Sequence, residues 1–304
     1  MKKIKIGGLF EASEIALGSW RIAGLEAKEA ENLLATALEA GIDLFDNADI
    51  YGGGVAEEVF GAAVKALGVR DDILIQTKCG IRNGYYDFSK EHILNAVDGS
   101  LRRLGVEKID ILLLHRPDTL MEPEEVAEAF DLLHRSGKVD YFGVSNQNPR
   151  QMELLQSFIG HKLVTNQLQL SLTNSSMIDT GFNVNMEINP ALDRDGGVLE
   201  YCRLKGITIQ AWSPLQYGVF EGTFIDNEEL FASFNEKLKE YADKKGVQKT
   251  AIAFAWILRH PAKIQAIAGT TNPGRLKELC KGADVELTRE EWYELYRAAG
   301  NNLP

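Results

Sequence analysis

Short apolar runs recur along the chain, and most are followed by a segment whose apolar residues recur at helical spacing. An uninterrupted apolar run bounded by polar residues is typical of a parallel strand covered on both faces. We predict eight such strands, around the segments LGSW, LFDNAD, ILIQTKCG, IDILLLH, YFGVSN, LVTNQLQLS, ITIQAWSPL and IQAIAG. This alternation predicts an α/β protein with the fold of a (β/α)8 TIM barrel.

The helices are predicted from apolar residues spaced three and four apart. They cover residues 28–40, 56–67, about 90–104 after an N-cap at Ser89, 123–134, 149–158, 228–260 with a break near Gly246, about 274–279, and a terminal helix at 290–299. Two further runs, 3–10 and 14–20, predict an N-terminal hairpin that caps the barrel, followed by the first strand. Because no linker or low-complexity tract divides the chain, we predict one barrel domain over residues 1–304 with extra C-terminal helices.

One segment breaks the alternation. Residues 172–195 are polar and lack clear periodicity. Long irregular loops in compact domains are usually functional or disordered. We therefore predict a loop that covers the substrate.

The composition is that of an ordinary globular protein, with 304 residues, of which 45% are hydrophobic and 25% charged. A net charge of -11 argues against nucleic acid as the main partner. No apolar run approaches the ~20 residues that cross a bilayer, and the N-terminus shows no signal-peptide pattern. We predict a cytoplasmic protein, monomeric, with no membrane partner.

The three cysteines, Cys79, Cys202 and Cys280, are an odd number and lack the paired spacing of metal ligands. We expect free thiols in a reducing compartment and no metal site.

Four ionisable residues stand at or just beyond the ends of predicted strands two to four: Asp46, Tyr51, Lys78 and His115. In a (β/α)8 barrel the carboxyl ends of the strands form one rim, where active sites are built. A lysine paired with an aspartate beside a tyrosine would favour the phenolate and lower a pKa that is ordinarily ~10. Such a tyrosine could protonate a carbonyl oxygen that the histidine orients.

Each of these residues also has a purely structural explanation. Asp46 could be a helix or turn cap, as could Asp49, and Tyr51 could be a turn residue beside three glycines. Lys78 could reach solvent and His115 could be a buried, hydrogen-bonded histidine. Their occurrence at four matching rim positions favours a catalytic site.

The motifs that carry these residues resemble those of the aldo-keto reductase family. FDNADIYG, TKCG and LLLHRPD occur in the family's order, and the similarity extends over nearly the whole chain. The resemblance implies that Tyr51 is the acid, that Lys78 and Asp46 tune it, and that His115 positions the carbonyl. It also implies reduction of aldehyde or ketone carbonyls to alcohols with NADPH as the cofactor, bound across the barrel mouth.

Further motifs, GVSN, NQLQLS, WSPL and GTTNPGRLKE, resemble the cofactor segments of the same family. The implied cofactor-binding residues are Ser145, Asn146 and Gln167 at the carboxamide, Trp212, Ser213, Pro214, Leu215 and Gly218 along the nicotinamide and pyrophosphate, and Gly269, Thr270, Thr271, Asn272 and Arg275 at the adenosine phosphate. Candidate walls of the substrate pocket are Trp20, Arg21, Tyr85 and Tyr86, although large aromatic residues near a mouth are also ordinary packing.

The residue types in the segment GTTNPGRLKE are those expected of an anion-binding site. Asn272 and Pro273 have the types of a helix N-cap and first-turn residue, and a helix start attracts anions. Arg275 offers a fork-shaped cation suited to a 2′-phosphate, though it could also be a solvated helix residue. Ala268 and Leu279 depart from the family pattern, as does Gly269, so the preference for NADP over NAD stays open.

Two other functions compete with the reductase. One is a regulatory subunit with the same barrel, like the family's potassium-channel β-subunits; it would favour a segment before the hairpin, which here begins almost at Met1. The other is an unrelated barrel enzyme such as an isomerase or aldolase, which fold alone does not exclude but the ordered motifs do. We favour the NADPH-dependent carbonyl reductase and predict no particular substrate.

Overall fold

The computed structural model describes residues 1–218 and 221–304. Its strands are β1 Lys3–Ile6, β2 Phe10–Ser13, β3 Ile15–Gly18, β4 Leu44–Asp46, β5 Leu74–Cys79, β6 Ile109–Leu114, β7 Val139–Ser145, β8 Leu163–Gln169, β9 Thr208–Trp212 and β10 Gln265–Ala268. β1 and β2 form an antiparallel hairpin, and the other eight close into a barrel in the order β10-β3-β4-β5-β6-β7-β8-β9. All neighbouring barrel strands are parallel, which confirms the predicted (β/α)8 architecture.

Helices follow the barrel strands as the periodicity predicted. In the described residues they are α1 Ala27–Glu39, α2 Val55–Leu67, α3 Lys90–Leu104, α4 Pro123–Arg135, α5 Pro149–Gln156, α6 Ser176–Phe182, α7 Val198–Lys205, α8 Glu228–Lys245, α9 Lys249–Leu258, α10 Pro273–Cys280 and α11 Arg289–Ala298. Ser89 caps α3 by accepting a hydrogen bond from the backbone N–H of His92. Gly246, with φ +68°, ends α8 and explains the predicted break.

The expectation that residues 172–195 lack regular structure is wrong. They contain α6 and a 3-10 turn at Asn189–Ala191. α6 packs against α11, where Tyr296 donates a hydrogen bond of 2.6 Å to Asp179 and its ring contacts Phe182. A seven-residue helix is too short to show a clear apolar period, which is why the sequence pattern hides it. A substrate-covering role for this segment stays a prediction.

The hairpin closes the end of the barrel at which the strands begin. Ile6 and Ala12 from the hairpin pack with Ile111, Leu113 and Val164, among other inward-facing apolar side chains. We call this apolar layer the barrel floor. The backbone passes so close that a Cβ at Gly7, where φ is +57°, would lie 2.7 Å from the Cβ of Val164. The floor leaves the opposite end of the barrel open for chemistry.

One strand carries a register irregularity. In β7 and β8, Phe142 pairs with Leu163 but Val144 pairs with Asn166, so β8 contains an extra residue between the two pairs. As a result Val164 packs into the floor, while Gln167, three residues later, also points into the barrel. Strict alternation along a strand would not place both side chains inside.

Cys79, Cys202 and Cys280 are buried and free, as predicted. Within residues 1–218 and 221–304, no helix combines the length and the apolar character needed to cross a membrane.

Candidate active site

Lys78 contacts two of the other three predicted rim residues, Asp46 and Tyr51. Its Nζ lies 2.8 Å from Asp46 Oδ2 and 3.1 Å from Tyr51 Oη, and it donates a third bond of 2.7 Å to the backbone oxygen of Asn47. Lys78 is 0% exposed and Asp46 is 3% exposed. A buried ion pair is tolerated only when its donors and acceptors are satisfied, and the three N–H donors of this ammonium all have acceptors.

A glycine turn brings Tyr51 to this lysine. Tyr51 begins a short 3-10 turn, Tyr51–Gly54, in which Gly52 and Gly53 have φ values of 58° and 67°. A Cβ at Gly52 would lie 2.6 Å from the Cβ of Ala23, so a larger residue there would clash as well as strain the backbone. The turn therefore needs glycine, and it holds the phenol beside Lys78.

The expected lowering of the Tyr51 pKa is wrong as a net effect. Burial raises the pKa of Tyr51 above 10.0, and this outweighs the opposing pull of Lys78. Burial alone would lower the pKa of Lys78, but Asp46 and Tyr51 together raise it above 10.5. At neutral pH the site therefore holds a protonated phenol beside a charged ammonium.

His115 follows β6 and stands next to the phenol. The ring centroids of His115 and Tyr51 are 5.9 Å apart in an edge-on arrangement. Burial, with the charges of Lys78 and Arg116, holds the pKa of His115 well below 6.5, so the imidazole is neutral at neutral pH. Its Nδ1 is buried and has no hydrogen-bond partner among the described residues. A neutral imidazole carries one ring N–H and can donate a hydrogen bond to a polar ligand.

Arg116, which sequence reasoning passed over, also reaches the mouth. Its guanidinium lies 5.7 Å from the ring centroid of Trp212. Its position directly after His115 was the available signal.

Asp49 is a second aspartate, three residues beyond Asp46. Its Oδ1 is buried without a partner in the described part of the chain, and burial together with Glu57 raises its pKa to about 7. Asp46, not Asp49, holds the lysine.

The strand ends predicted to hold a nicotinamide belong to β7, β8 and β9, which are consecutive in the barrel. Asn146, just after β7, and Ser213, just after β9, have left-handed φ values of 57° and 51°. Asn146 donates to Ser145 Oγ over 2.7 Å and accepts from the indole nitrogen of Trp212 over 3.1 Å. Strained non-glycine residues of this kind cluster at functional sites.

Gln167 lies among these residues, but its amide nitrogen faces the barrel interior. It donates to Asp46 Oδ1 over 3.0 Å and to Gln210 over 3.2 Å. Gln76, which sequence reasoning missed, donates to the same Asp46 oxygen over 2.5 Å. The signal was present, because Gln76 lies two residues before Lys78 in β5 and alternation puts both on one face.

The predicted adenosine-phosphate segment has the expected helix start. Asn272 Oδ1 accepts from the backbone N–H of Arg275 over 2.9 Å, and Pro273 is the first residue of α10. Thr270 Oγ1 accepts from the Asn272 N–H, and the Arg275 side chain is exposed. The first N–H groups of a helix have no partner within it, so this capped start fits a phosphate.

The other predicted residues lie on loops that follow barrel strands. Gly269 accepts from the guanidinium of Arg21 over 2.9 Å, and Thr271 next to Thr270 is partly exposed. Pro214 and Leu215 continue the turn after β9, and the Gly218 oxygen accepts from Gln169 over 3.0 Å. In the candidate pocket walls, the guanidinium of Arg21 lies over the ring of Trp20, and that of Arg82 lies over the ring of Tyr85. Tyr86 forms an isolated antiparallel β-bridge with Ile81.

Known proteins are similar to this chain over nearly its whole length. A model of the "Aldo/keto reductase family" matches residues 14–299. A "6-dehydroglucose reductase" from Agrobacterium fabrum strain C58 is 38% identical, covering 98% of both chains. A "Probable voltage-gated potassium channel subunit beta" from Oryza sativa is 28% identical over 90% of this chain and 88% of its own.

Among solved structures, an aldo-keto reductase from Klebsiella pneumoniae in complex with NADPH superimposes with a TM-score of 0.80. It is 24% identical and covers 100% of this chain and 96% of its own, which supports the fold.

Proposed function

Because this chain belongs to the aldo/keto reductase family, we propose that it reduces aldehyde or ketone carbonyls to alcohols, with Tyr51 as the general acid. As a member it is an NAD(P)H-dependent oxidoreductase of the carbonyl reductase type, and NADPH/NADP is the cofactor that we propose for it. The observation that supports Tyr51 as the general acid is the contact chain from Asp46 through Lys78 to Tyr51.

The proton step is assigned to Tyr51. Its raised pKa keeps the hydroxyl protonated at neutral pH, so the group is in the form that can give a proton to a carbonyl oxygen. The phenolate left behind would lie 3.1 Å from the ammonium of Lys78. A fixed positive charge at this distance stabilises the negative charge that develops as the proton leaves.

Asp46 and His115 have supporting roles in this proposal. Asp46 holds Lys78 in place and balances its charge within the barrel. A neutral His115 can donate one ring N–H to the carbonyl oxygen and so keep that oxygen within reach of Tyr51. When bound, NADPH supplies the hydride that adds to the carbonyl carbon, so hydride and proton together complete the alcohol.

The residues that would hold the cofactor are those placed at the strand ends and at the start of α10. Ser145 and Asn146 would contact the carboxamide with Gln167, and Trp212 would lie against the ring. The start of α10, with Arg275, would hold the adenosine phosphate. The capped helix start and the exposed guanidinium support this assignment.

The relative named 6-dehydroglucose reductase suggests where to begin with substrates. A polar sugar aldehyde suits a mouth that contains Arg116 and the neutral imidazole of His115. We therefore include 6-dehydroglucose among the candidate substrates. No feature of the described residues favours the regulatory-subunit alternative over the reductase.

The test is turnover by the purified chain. NADPH and NADH are titrated in parallel by fluorescence, and NADPH oxidation is followed with 6-dehydroglucose, short aldehydes and ketones. We expect binding of NADPH and substrate-dependent oxidation that is absent without a carbonyl compound. Binding without turnover on any carbonyl would favour the regulatory subunit, and no nucleotide binding would contradict the cofactor assignment.

A further inference from the structure

Four glutamine side chains fill the barrel interior between the floor and Asp46. Gln76, Gln167, Gln210 and Gln265 come from four different strands and are each at most 3% exposed. We call this set the glutamine chain. Buried amides are costly unless hydrogen-bonded, so a set of four at the centre of a barrel requires a continuous network.

The network is complete from one end to the other. At the floor, Gln265 donates to the backbone oxygen of Ser13 over 2.6 Å and accepts from Gln210 over 2.8 Å. Gln210 and Gln76 exchange two hydrogen bonds, of 2.9 and 3.0 Å. Gln76 then donates to Asp46 Oδ1 over 2.5 Å.

The two ends of this network determine the direction of every amide in it. A backbone oxygen and a carboxylate oxygen can only accept hydrogen bonds, so Gln265 must turn its nitrogen to Ser13, and Gln76 must turn its nitrogen to Asp46. Between them, Gln210 donates to both Gln265 and Gln76. Rotating any one amide by half a turn would place oxygen against oxygen or nitrogen against nitrogen.

The carboxylate of Asp46 is consequently held from two sides. Gln76 and Gln167 both donate to Oδ1, while Lys78 donates to Oδ2. Hydrogen bonds to an ionised group are the stronger kind, and three of them fix both the place and the rotation of this side chain. Because the Lys78 ammonium is paired with Asp46, its position beside Tyr51 depends on the same contacts.

We propose that Gln76 is a positioning residue for the reaction: through Asp46 it keeps the Lys78 ammonium beside the Tyr51 hydroxyl. The inference rests on the proposed function of Tyr51. Gln76 itself touches neither the mouth nor the phenol, so it acts through Asp46, whose carboxylate fixes the direction of the Gln76 amide.

The chain offers a matched control for a glutamine that only fills the core. Gln265 is the same residue type, is equally buried and belongs to the same network, but contacts Ser13 at the floor and not Asp46. Gln76→Met and Gln265→Met each replace an amide by an apolar group of similar length. Both should lower the melting temperature, because each leaves buried partners unsatisfied.

Only Gln76→Met should affect the reaction strongly. We expect kcat for the best carbonyl substrate to fall about 10-fold or more with little change in KM, and the alkaline limb of the kcat–pH profile to shift. Gln265→Met should keep kcat within about twofold and leave the limb in place. NADPH affinity should be unchanged in both.

A second variant at Gln76 keeps the inference testable if Gln76→Met does not fold. Gln76→Asn keeps a polar group in the core but is one methylene too short to reach Asp46, so the same loss of kcat is expected. Equal kcat losses in Gln76→Met and Gln265→Met, or wild-type kcat and pH profile in both Gln76 variants, would overturn the inference alone. A wild-type protein without turnover on any carbonyl would overturn the proposed function and this inference with it.

Discussion

The two ends of this barrel are built from opposite kinds of side chain. At the floor, Ile6, Ile111, Leu113 and Val164 pack as an apolar layer under the hairpin. At the open end, a buried lysine, aspartate and histidine surround a tyrosine, and several buried polar atoms there have no partner in the described residues, His115 Nδ1 among them.

This difference separates stability from chemistry within one fold. The floor buries apolar surface, so it stabilises the barrel. The open end keeps charges and unpaired polar atoms out of bulk water, which costs stability but is common at functional sites. A substitution at one end should therefore change a quantity that a substitution at the other end leaves alone.

The largest expected effect lies at the open end. Tyr51→Phe removes the proposed acid while keeping the ring, so kcat should fall ~10²–10⁴-fold with NADPH affinity nearly unchanged. Steady-state kinetics and a nucleotide titration measure the two quantities. Tyr201→Phe, at a partly exposed tyrosine on α7, is the matched control and should keep its activity. Turnover retained by Tyr51→Phe would remove Tyr51 from the acid role.

The next effect lies at the floor and concerns stability. Ile6 is 0% exposed, so Ile6→Ala should lower the free energy of unfolding by about 2–5 kcal/mol. At a temperature where the variant is folded, kcat and KM should match the wild type. Leu9→Ala in the same hairpin, at a residue 56% exposed, should cost little. A large loss of kcat in folded Ile6→Ala would break the separation between the two ends.

A smaller effect is expected at the start of α10, on the loop after β10. Arg275→Ala should weaken NADPH binding by about 10-fold and NADH binding much less, because only NADPH carries the 2′-phosphate. Fluorescence titration with both nucleotides measures the difference. Lys277→Ala is the control, since Lys277 pairs with Glu39 on the neighbouring helix. Equal weakening for both nucleotides would contradict the phosphate assignment.

The smallest expected effect is that of pH. Reduction needs the protonated phenol. Because the pKa of Tyr51 is raised above 10.0, the phenol loses its proton only above that pH. His115 stays neutral above 6.5 because burial lowers its pKa. The kcat for reduction should thus change less than about twofold between about pH 7 and about pH 9. A change in kcat with a midpoint near pH 7 would instead implicate Asp49, whose pKa is about 7.

Much of the open end could be predicted because its residues follow strands. Once Asp46, Lys78 and His115 are placed at the ends of parallel strands, the barrel topology brings them to one rim without further information. Asn272 and Pro273 were readable for a similar reason, since a helix start depends on local residue types. Short α6 was not, because its seven residues give too little periodicity.

Local sequence patterns were enough to predict the alternation of strands and helices, the parallel barrel, the hairpin before it and the rim positions of Asp46, Lys78 and His115. These depend on local apolar periods and on turn and cap residues, which act over a few positions of the chain. Only the folded barrel shows the net rise of the Tyr51 pKa, the extra residue in β8 and the direction of the glutamine chain. Each of these depends on how deeply a group is buried and on partners from distant strands, such as Gln76 with Gln210, and no local pattern contains that information.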